Sequence, residues 1–184
     1  MGALKLVETY TYDDYKTWEG KWELIHGQAI SMSPSPYLDH QRVERDFLIE
    51  IINNIDFDTC QVCDVVCEVD WKISDKTTVQ PDIVMVCNND DKFITKRPEI
   101  IVEVSSKSTA KRDETDKFEL YEDEKVPYYI LAYPKEKKIK IFEFDKKKNK
   151  YKSLGSYRDE KFTFKNIKCK DITINVKNIF KRLK

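Results

Sequence analysis

Two acids sit where acids are costly. The segments VQPDIVMV and EIIVEVSS are apolar at almost every position of both parities, which predicts strands covered on both faces. Asp82 and Glu103 interrupt them. Carboxylates are depleted in strands and costly to desolvate without a partner, so something cationic must answer them. Successive strands are usually neighbours, so a loop through NNDDKFITKRPE can bring the two acids side by side. Adjacent carboxylates repel, and the repulsion either raises one pKa until a proton is shared or is relieved by a bound cation. Magnesium suits such a pair, because it takes one or two carboxylates and keeps several waters. The plainer alternative is two separate acids, each satisfied by an arginine or by backbone donors.

A second group lies on a charged segment, RDETDKFELYEDEKV, which reads as a helix. Asp113, Lys117 and Tyr121 recur every four residues and so share one face. Lys117 stands beside Phe118, Leu120 and Tyr121, from where its ammonium can reach across to strand ends; the alternative is a solvated pair with Asp113. His40 opens the first long helix one turn before Glu44. A capping or packing role is the ordinary fate of such a histidine.

The elements that must position these residues follow from pattern. A short helix begins the N-terminal region. WELIHGQAISM then alternates about Gly27 as a hairpin does, closed by Pro34 and Pro36. Apolar residues Val43, Phe47, Leu48, Ile51, Ile52 and Ile55 fall at helical spacing and predict an amphipathic helix from about Leu38 to Ile55. CQVCDVVCEVDWKI, VQPDIVMV and EIIVEVSS are expected as three strands, and VPYYILAY as a buried one. KKIKIFEFD and KYKSLG predict a hairpin turning at Lys147, Lys148 and Asn149, and TINVKNIFKRL a short terminal helix. Repeats, low-complexity linkers and a glycine-rich phosphate loop are absent from the sequence. The order predicts an α/β chain with a mixed sheet and helices on both faces.

The 184 residues suffice for one sizeable core, so a single domain over 1–184 is expected. No apolar run approaches the roughly 20 residues of a membrane span, and MGALKLVETYTYDDY carries no export-signal pattern. A cytoplasmic protein with no membrane partner is expected. Five cysteines, an odd count, then argue for reduced thiols; Cys60, Cys63 and Cys67 cluster in sequence but are read as buried strand cysteines rather than as zinc ligands. Net charge is zero, yet residues 135–184 hold 18 Lys and Arg against 6 Asp and Glu. That third of the chain could track phosphates, with Lys146, Lys147 and Lys148 as its densest cluster, although a solvated Lys-rich hairpin gives the same pattern.

Pro81-Asp82 followed by Glu103 resembles the short motif of the PD-(D/E)XK nuclease superfamily. The wider series WELIHGQAISMSPSPYLDH, VQPDIVMV, EIIVEVSSKST, then Asp113, Lys117 and Tyr121, then VPYYILAYP, resembles the Uma-two family of putative restriction endonucleases from about Thr9 to Phe180. The resemblance implies a restriction-endonuclease-like mixed β-sheet flanked by helices, here with N-terminal and C-terminal hairpins. It implies Asp82 and Glu103 as ligands of magnesium or manganese, the carbonyl of Val104 as a third, and His40 and Glu44 as supporting residues. Two positions depart from the pattern. Ser105 stands where the superfamily has its lysine, and Tyr133 where the family has an acid. The family pattern carries a lysine on the following helix, matched by Lys117.

The implied activity is metal-dependent endonucleolytic hydrolysis of DNA, with Asp82, Glu103 and Lys117 as the catalytic set and no organic cofactor. The competing expectation is a non-catalytic DNA-binding or assembly module that keeps the nuclease scaffold. A homodimer would suit cleavage of two strands.

Overall fold

The computed structural model describes residues 8–32, 37–106 and 109–183. Tyr12–Tyr15 form one helical turn (α1), opened by Thr11, whose N–H donates to the Asp14 carboxylate at 2.8 Å. Trp22–Ile25 (β1) and Gln28–Ser31 (β2) make the expected hairpin. His26 (φ 50°) and Gly27 (φ 79°) both take left-handed backbone, as a two-residue turn of this hand requires. Pro34 and Pro36 lie outside the described residues. Leu38–Ile52 form the long amphipathic helix (α2), slightly shorter than its apolar spacing predicts.

The segment expected as one strand from Cys60 to Ile73 is two. Cys63–Cys67 (β3) ends where Glu68 takes a left-handed φ of 50°, and Trp71–Ser74 (β4) then joins a different sheet. VQPDIVMV divides likewise into Thr77–Val79 (β5) and Ile83–Cys87 (β6), so Asp82 stands just before a strand rather than inside it. Proline lacks the N–H a ladder needs, which is why the break falls at Pro81. Ile100–Val104 (β7) follows as expected.

The charged helix is also two: Ala110–Glu114 (α3) and Asp116–Asp123 (α4). Between them Thr115 turns its hydroxyl back onto the Lys111 carbonyl at 2.7 Å, the local bond by which threonine bends helices. Tyr128–Tyr133 (β8), Lys138–Asp145 (β9) and Lys150–Tyr157 (β10) match expectation, with β10 longer and bulged between Ser153 and Gly155. Lys161–Phe164 (β11) and Ile172–Asn175 (β12) form a further hairpin that the sequence pattern does not separate out, and Val176–Phe180 (α5) ends the described fold.

The central sheet runs β10-β9-β8-β7-β6-β3 and is mixed, since β7 and β8 are parallel and its other pairings antiparallel. A smaller antiparallel sheet runs β2-β1-β5-β4. One face of the central sheet presents Ile83, Met85, Val102, Val104, Ile130 and Ile141 to α2, α5 and the β11–β12 hairpin. The other presents Val84, Ile101, Tyr129 and Leu131 to Leu120 and Tyr121 of α4 and to Ile25, Trp71 and Val79 of the smaller sheet. Both parities are thus buried. Among the described residues no helix is long and apolar enough to cross a membrane.

The cysteines depart from expectation. Cys60 lies in the loop before β3 and is disulfide-bonded to Cys169 of the β11–β12 loop, while Cys63 is bonded to Cys87 across β3 and β6. Only Cys67 of the described cysteines is free. Sequence proximity groups Cys67 with Cys60 and Cys63, but Cys67 lies at the opposite end of β3 from Cys63, and the fold brings in Cys87 and Cys169 instead.

Candidate active site

Strand register brings the two acids together. Ile83 pairs with Val102 in the antiparallel β6–β7 ladder, and one further step places Asp82 opposite Glu103. The backbone tightens the junction, because the Val104 N–H donates to Asp82 Oδ2 at 2.6 Å. Glu103 shares the parity of Ile101 and so faces α4.

Helix α4 answers it with a cation. Lys117 Nζ lies 2.9 Å from Glu103 Oε1, and the Tyr121 hydroxyl donates to the same oxygen at 2.8 Å. The one-turn spacing of the two residues lets both reach one carboxylate. Lys117 also lies 2.8 Å from Glu23 Oε1 of β1, whose other oxygen faces Arg112 of α3 at 3.3 Å, and the Gln80 N–H donates to Glu23 Oε1 at 3.0 Å. Glu23, Glu103 and Lys117 are all buried. Burial works against the Lys117 charge, but Glu103, Glu23 and Asp113 outweigh it and raise its pKa, so the ammonium keeps its proton. Burial pushes Glu103 upward, Lys117 pulls against that, and Asp82, Asp113 and Glu23 add to the rise. With two donors on Oε1 and a charged ammonium in contact, the ionised form is the one this geometry holds.

Asp82 meets α2 instead. His40 Nε2 is 3.4 Å from Asp82 Oδ1 and 3.8 Å from Glu44 Oε2, so the histidine bridges the two acids. Burial, then the Asp82 charge, pushes Glu44 up to about 7. Burial opposes the charged form of His40, but Asp82 and Glu44 raise its pKa on balance. Asp113 is buried and its pKa is raised, first by burial, with Lys117 pulling against it. Ser105 is buried just after β7, its N–H donating to the Ala132 carbonyl at 2.8 Å.

His40, Glu44, Asp82, Glu103, Asp113, Lys117 and Tyr121 therefore converge. Lys146, Lys147 and Lys148 do not. Glu103 stands in a cross-strand row with Leu131 and Lys140. Seven residues along β9 separate that row from Lys147, roughly 23 Å at the rise of a strand. Lys138 and Lys140 occupy the near end, their ammonium groups 5.2 and 5.1 Å from the Tyr133 ring centroid. Tyr133 itself donates to Glu114 Oε1 at 2.6 Å, so an acid is present at that departure, supplied from α3.

The donor set fits a hard, hydrated divalent cation. It is built from carboxylate oxygens with one imidazole, and anionic groups outnumber the cations that answer them. Asp82 and Glu103, side by side across adjacent strands, are the residues that would hold such an ion.

The sequence profile of the Uma2 family, described as a putative restriction endonuclease, matches residues 11–163. The chain belongs to the Uma2 family. No curated protein matches it. Its fold is similar to the crystal structure of a putative nuclease belonging to DUF820 from Anabaena variabilis, with a TM-score of 0.72, covering 95% of this chain and 99% of that one at 14% sequence identity. The Uma2 match stops short of Phe180, so β12 and α5 lie beyond the matched residues.

Glu23 and Arg112 are the members of this Uma2 site that sequence reasoning missed. Glu23 carried the signal that singled out Asp82 and Glu103, an acid inside an apolar strand, here WELI. Arg112 carried none, being one of many exposed-looking charges on α3.

Because Lys117 answers two buried acids, Lys117→Met is expected to cost on the order of 3–5 kcal/mol in urea unfolding. Adding Glu23→Gln should recover part of that loss. Equal stability of Lys117→Met and wild type would show that the buried acids do not depend on the ammonium.

Glu44 gives a pH test. Its ordinary value of 4.5 is raised to about 7 in the fold, so its contribution is fully favourable below about 4.5 and is lost as pH rises through about 7. In the presence of a chelator, Glu44→Gln should raise the melting temperature at pH about 8 and leave it nearly unchanged at pH about 4.5. A shift of the same size at both pH values would remove the assigned titration.

Proposed function

We propose that this Uma2 chain is a divalent-metal-dependent endodeoxyribonuclease of the PD-(D/E)XK type. The observation that supports it most directly is the meeting of Asp82 and Glu103 across two strand ends, one steadied by a backbone N–H, the other by a buried lysine. Magnesium or manganese held by Asp82 and Glu103, with the Val104 carbonyl as a third oxygen, would lower the pKa of a bound water and polarise a phosphoryl oxygen.

The chain's own groups do the positioning. Lys117 and Tyr121 fix the rotamer of Glu103, and the backbone of Val104 fixes Asp82. An ammonium has three donors, and two of those on Lys117 face Glu103 and Glu23. The third is the donor for the attacking water or for a phosphate oxygen in the transition state, a contact worth most where charge develops. Lys117 stands on α4, the second helix after β7, so a lysine reaches the acids although Ser105 occupies the superfamily's lysine position. His40, lying between Asp82 and Glu44, orients Asp82.

DNA must approach along the end of the sheet where the acids lie. There Lys138 and Lys140 share the face of Glu103, and Lys135 and Lys137 stand at the turn into β9. Lys135, Lys138 and Lys140 would neutralise phosphates beside the acids, while Lys137 donates to the Leu183 carbonyl.

The decisive experiment is plasmid nicking with magnesium and with manganese. Asp82→Asn and Glu103→Gln should each lower the rate by on the order of 100-fold or more. Equal nicking by wild type and both variants would reject the site, and sequence-independent binding without nicking by wild type would favour the non-catalytic module.

Salt dependence tests the approach path. Lys138→Gln with Lys140→Gln should reduce the slope of log affinity against log salt by about 1.8, at roughly 0.9 for each phosphate left without its lysine. The same change at Lys146, Lys147 and Lys148 should leave the slope as it was. The reverse outcome would move the DNA path to the far turn of the hairpin.

A further inference from the structure

A second cluster of ligand atoms lies away from the carboxylates. Among the described residues, the three His, Cys, Asp or Glu side chains whose ligand atoms all fall within 4.8 Å of one another are Cys60, Cys63 and Cys169. Cys87 adjoins them through Cys63, its cross-strand partner in the β3–β6 ladder. Three sulfurs thus gather from a loop, the start of β3 and the β11–β12 loop, and the fourth, from the end of β6, is joined to them through Cys63.

We propose that in its reduced form the chain binds one zinc ion through Cys60, Cys63, Cys87 and Cys169. Two disulfides need only two pairwise contacts. Here, however, sulfurs belonging to both pairs converge, as a tetrahedral ion with zinc–sulfur bonds of about 2.3 Å requires. Cys60-Gln61-Val62-Cys63 has the two-residue gap common among zinc ligand pairs. The scaffold around it is fixed without the ion, because the Asn88 N–H donates to the Val62 carbonyl at 2.7 Å and holds the turn after β6 against this gap. Cys60, Cys63 and Cys87 are buried at the rim of the larger core, which excludes water from sulfur. Lys168 and Lys170 flank Cys169 and offset the double negative charge of zinc with four thiolates.

The change of state balances in two steps. From the paired form, each S–S bond takes two electrons from a phosphine and two protons from water, whose oxygen leaves in the phosphine oxide; zinc then displaces four protons from four thiols. Cys169 lies beyond the residues matched by the family, so the ion would fasten the C-terminal hairpin to the central sheet.

The test uses the full chain reduced with a phosphine and titrated with cobalt, then with zinc. Cobalt should give a thiolate-to-metal charge-transfer band and the visible spectrum of a tetrahedral tetrathiolate site, which one equivalent of zinc should abolish. Elemental analysis after zinc loading of Asp82→Asn, in which the carboxylate pair is broken, should give one ion per chain. Cys87→Ser and Cys169→Ser should each weaken the charge-transfer band and lower zinc retention, whereas Cys67→Ser and Asp82→Asn should retain both. Absence of the band from the reduced wild type would overturn the proposal, as would an undiminished band in either Cys87→Ser or Cys169→Ser. Because the readout is spectroscopic, it stands whether or not the chain cuts DNA.

Discussion

The buried ammonium of Lys117 is the interaction on which the arrangement of the site depends. Its Nζ reaches Glu103 of the central sheet and Glu23 of the smaller sheet from α4. Three layers that could slide as apolar surfaces are thereby fixed in rotation and register, since displacing the helix would leave two carboxylates buried without a cation. Apolar packing alone tolerates such displacement better, because it is not directional.

The two faces of the central sheet divide the work. Toward α2 and α5 the side chains are mostly aliphatic and aromatic, with Cys63 and Cys87 among them, and this side supplies the area removed from water. Toward α4 the same strands carry Glu103, Tyr129 and Tyr133, and the hydroxyls on this side find specific acceptors: Tyr121 of α4 on Glu103, Tyr129 on the Asp113 carbonyl, Tyr133 on Glu114. One layer provides burial, the other geometry. His40 and Glu44 reach Asp82 from the first layer because Asp82 stands at the strand end, where both sides are accessible.

Much of this was legible in the sequence. Apolar runs of both parities disclosed the doubly covered strands, and the acids within them disclosed Asp82 and Glu103. The four-residue spacing placed Lys117 and Tyr121 together, and the structure adds that they share a single oxygen. What stayed hidden depended on distant pairing. Cys87 and Cys169 are separated in sequence by 82 residues, and no local pattern announces that the β11–β12 loop folds back beside β3. The break between β3 and β4 turns on one left-handed residue, Glu68, an unusual bearer of that conformation. The basic cluster at Lys146–Lys148 was conspicuous by density, but charge density along a chain does not say at which end of a hairpin it will stand.

The bulge in β10 has a consequence for how the molecule meets its own copies. That strand forms one border of the central sheet, and a straight border offers a row of unpaired N–H and C=O groups to any other chain. Between Ser153 and Gly155 the row is thrown out of step, and Gly155 takes a φ of 109° that ordinary strand residues avoid. Lys150, paired with Glu122, and the exposed Lys152 stand on the same border. A neighbouring strand would meet interrupted hydrogen-bond spacing and repelling charge, so the sheet is closed to growth on that side by shape and by sign alike.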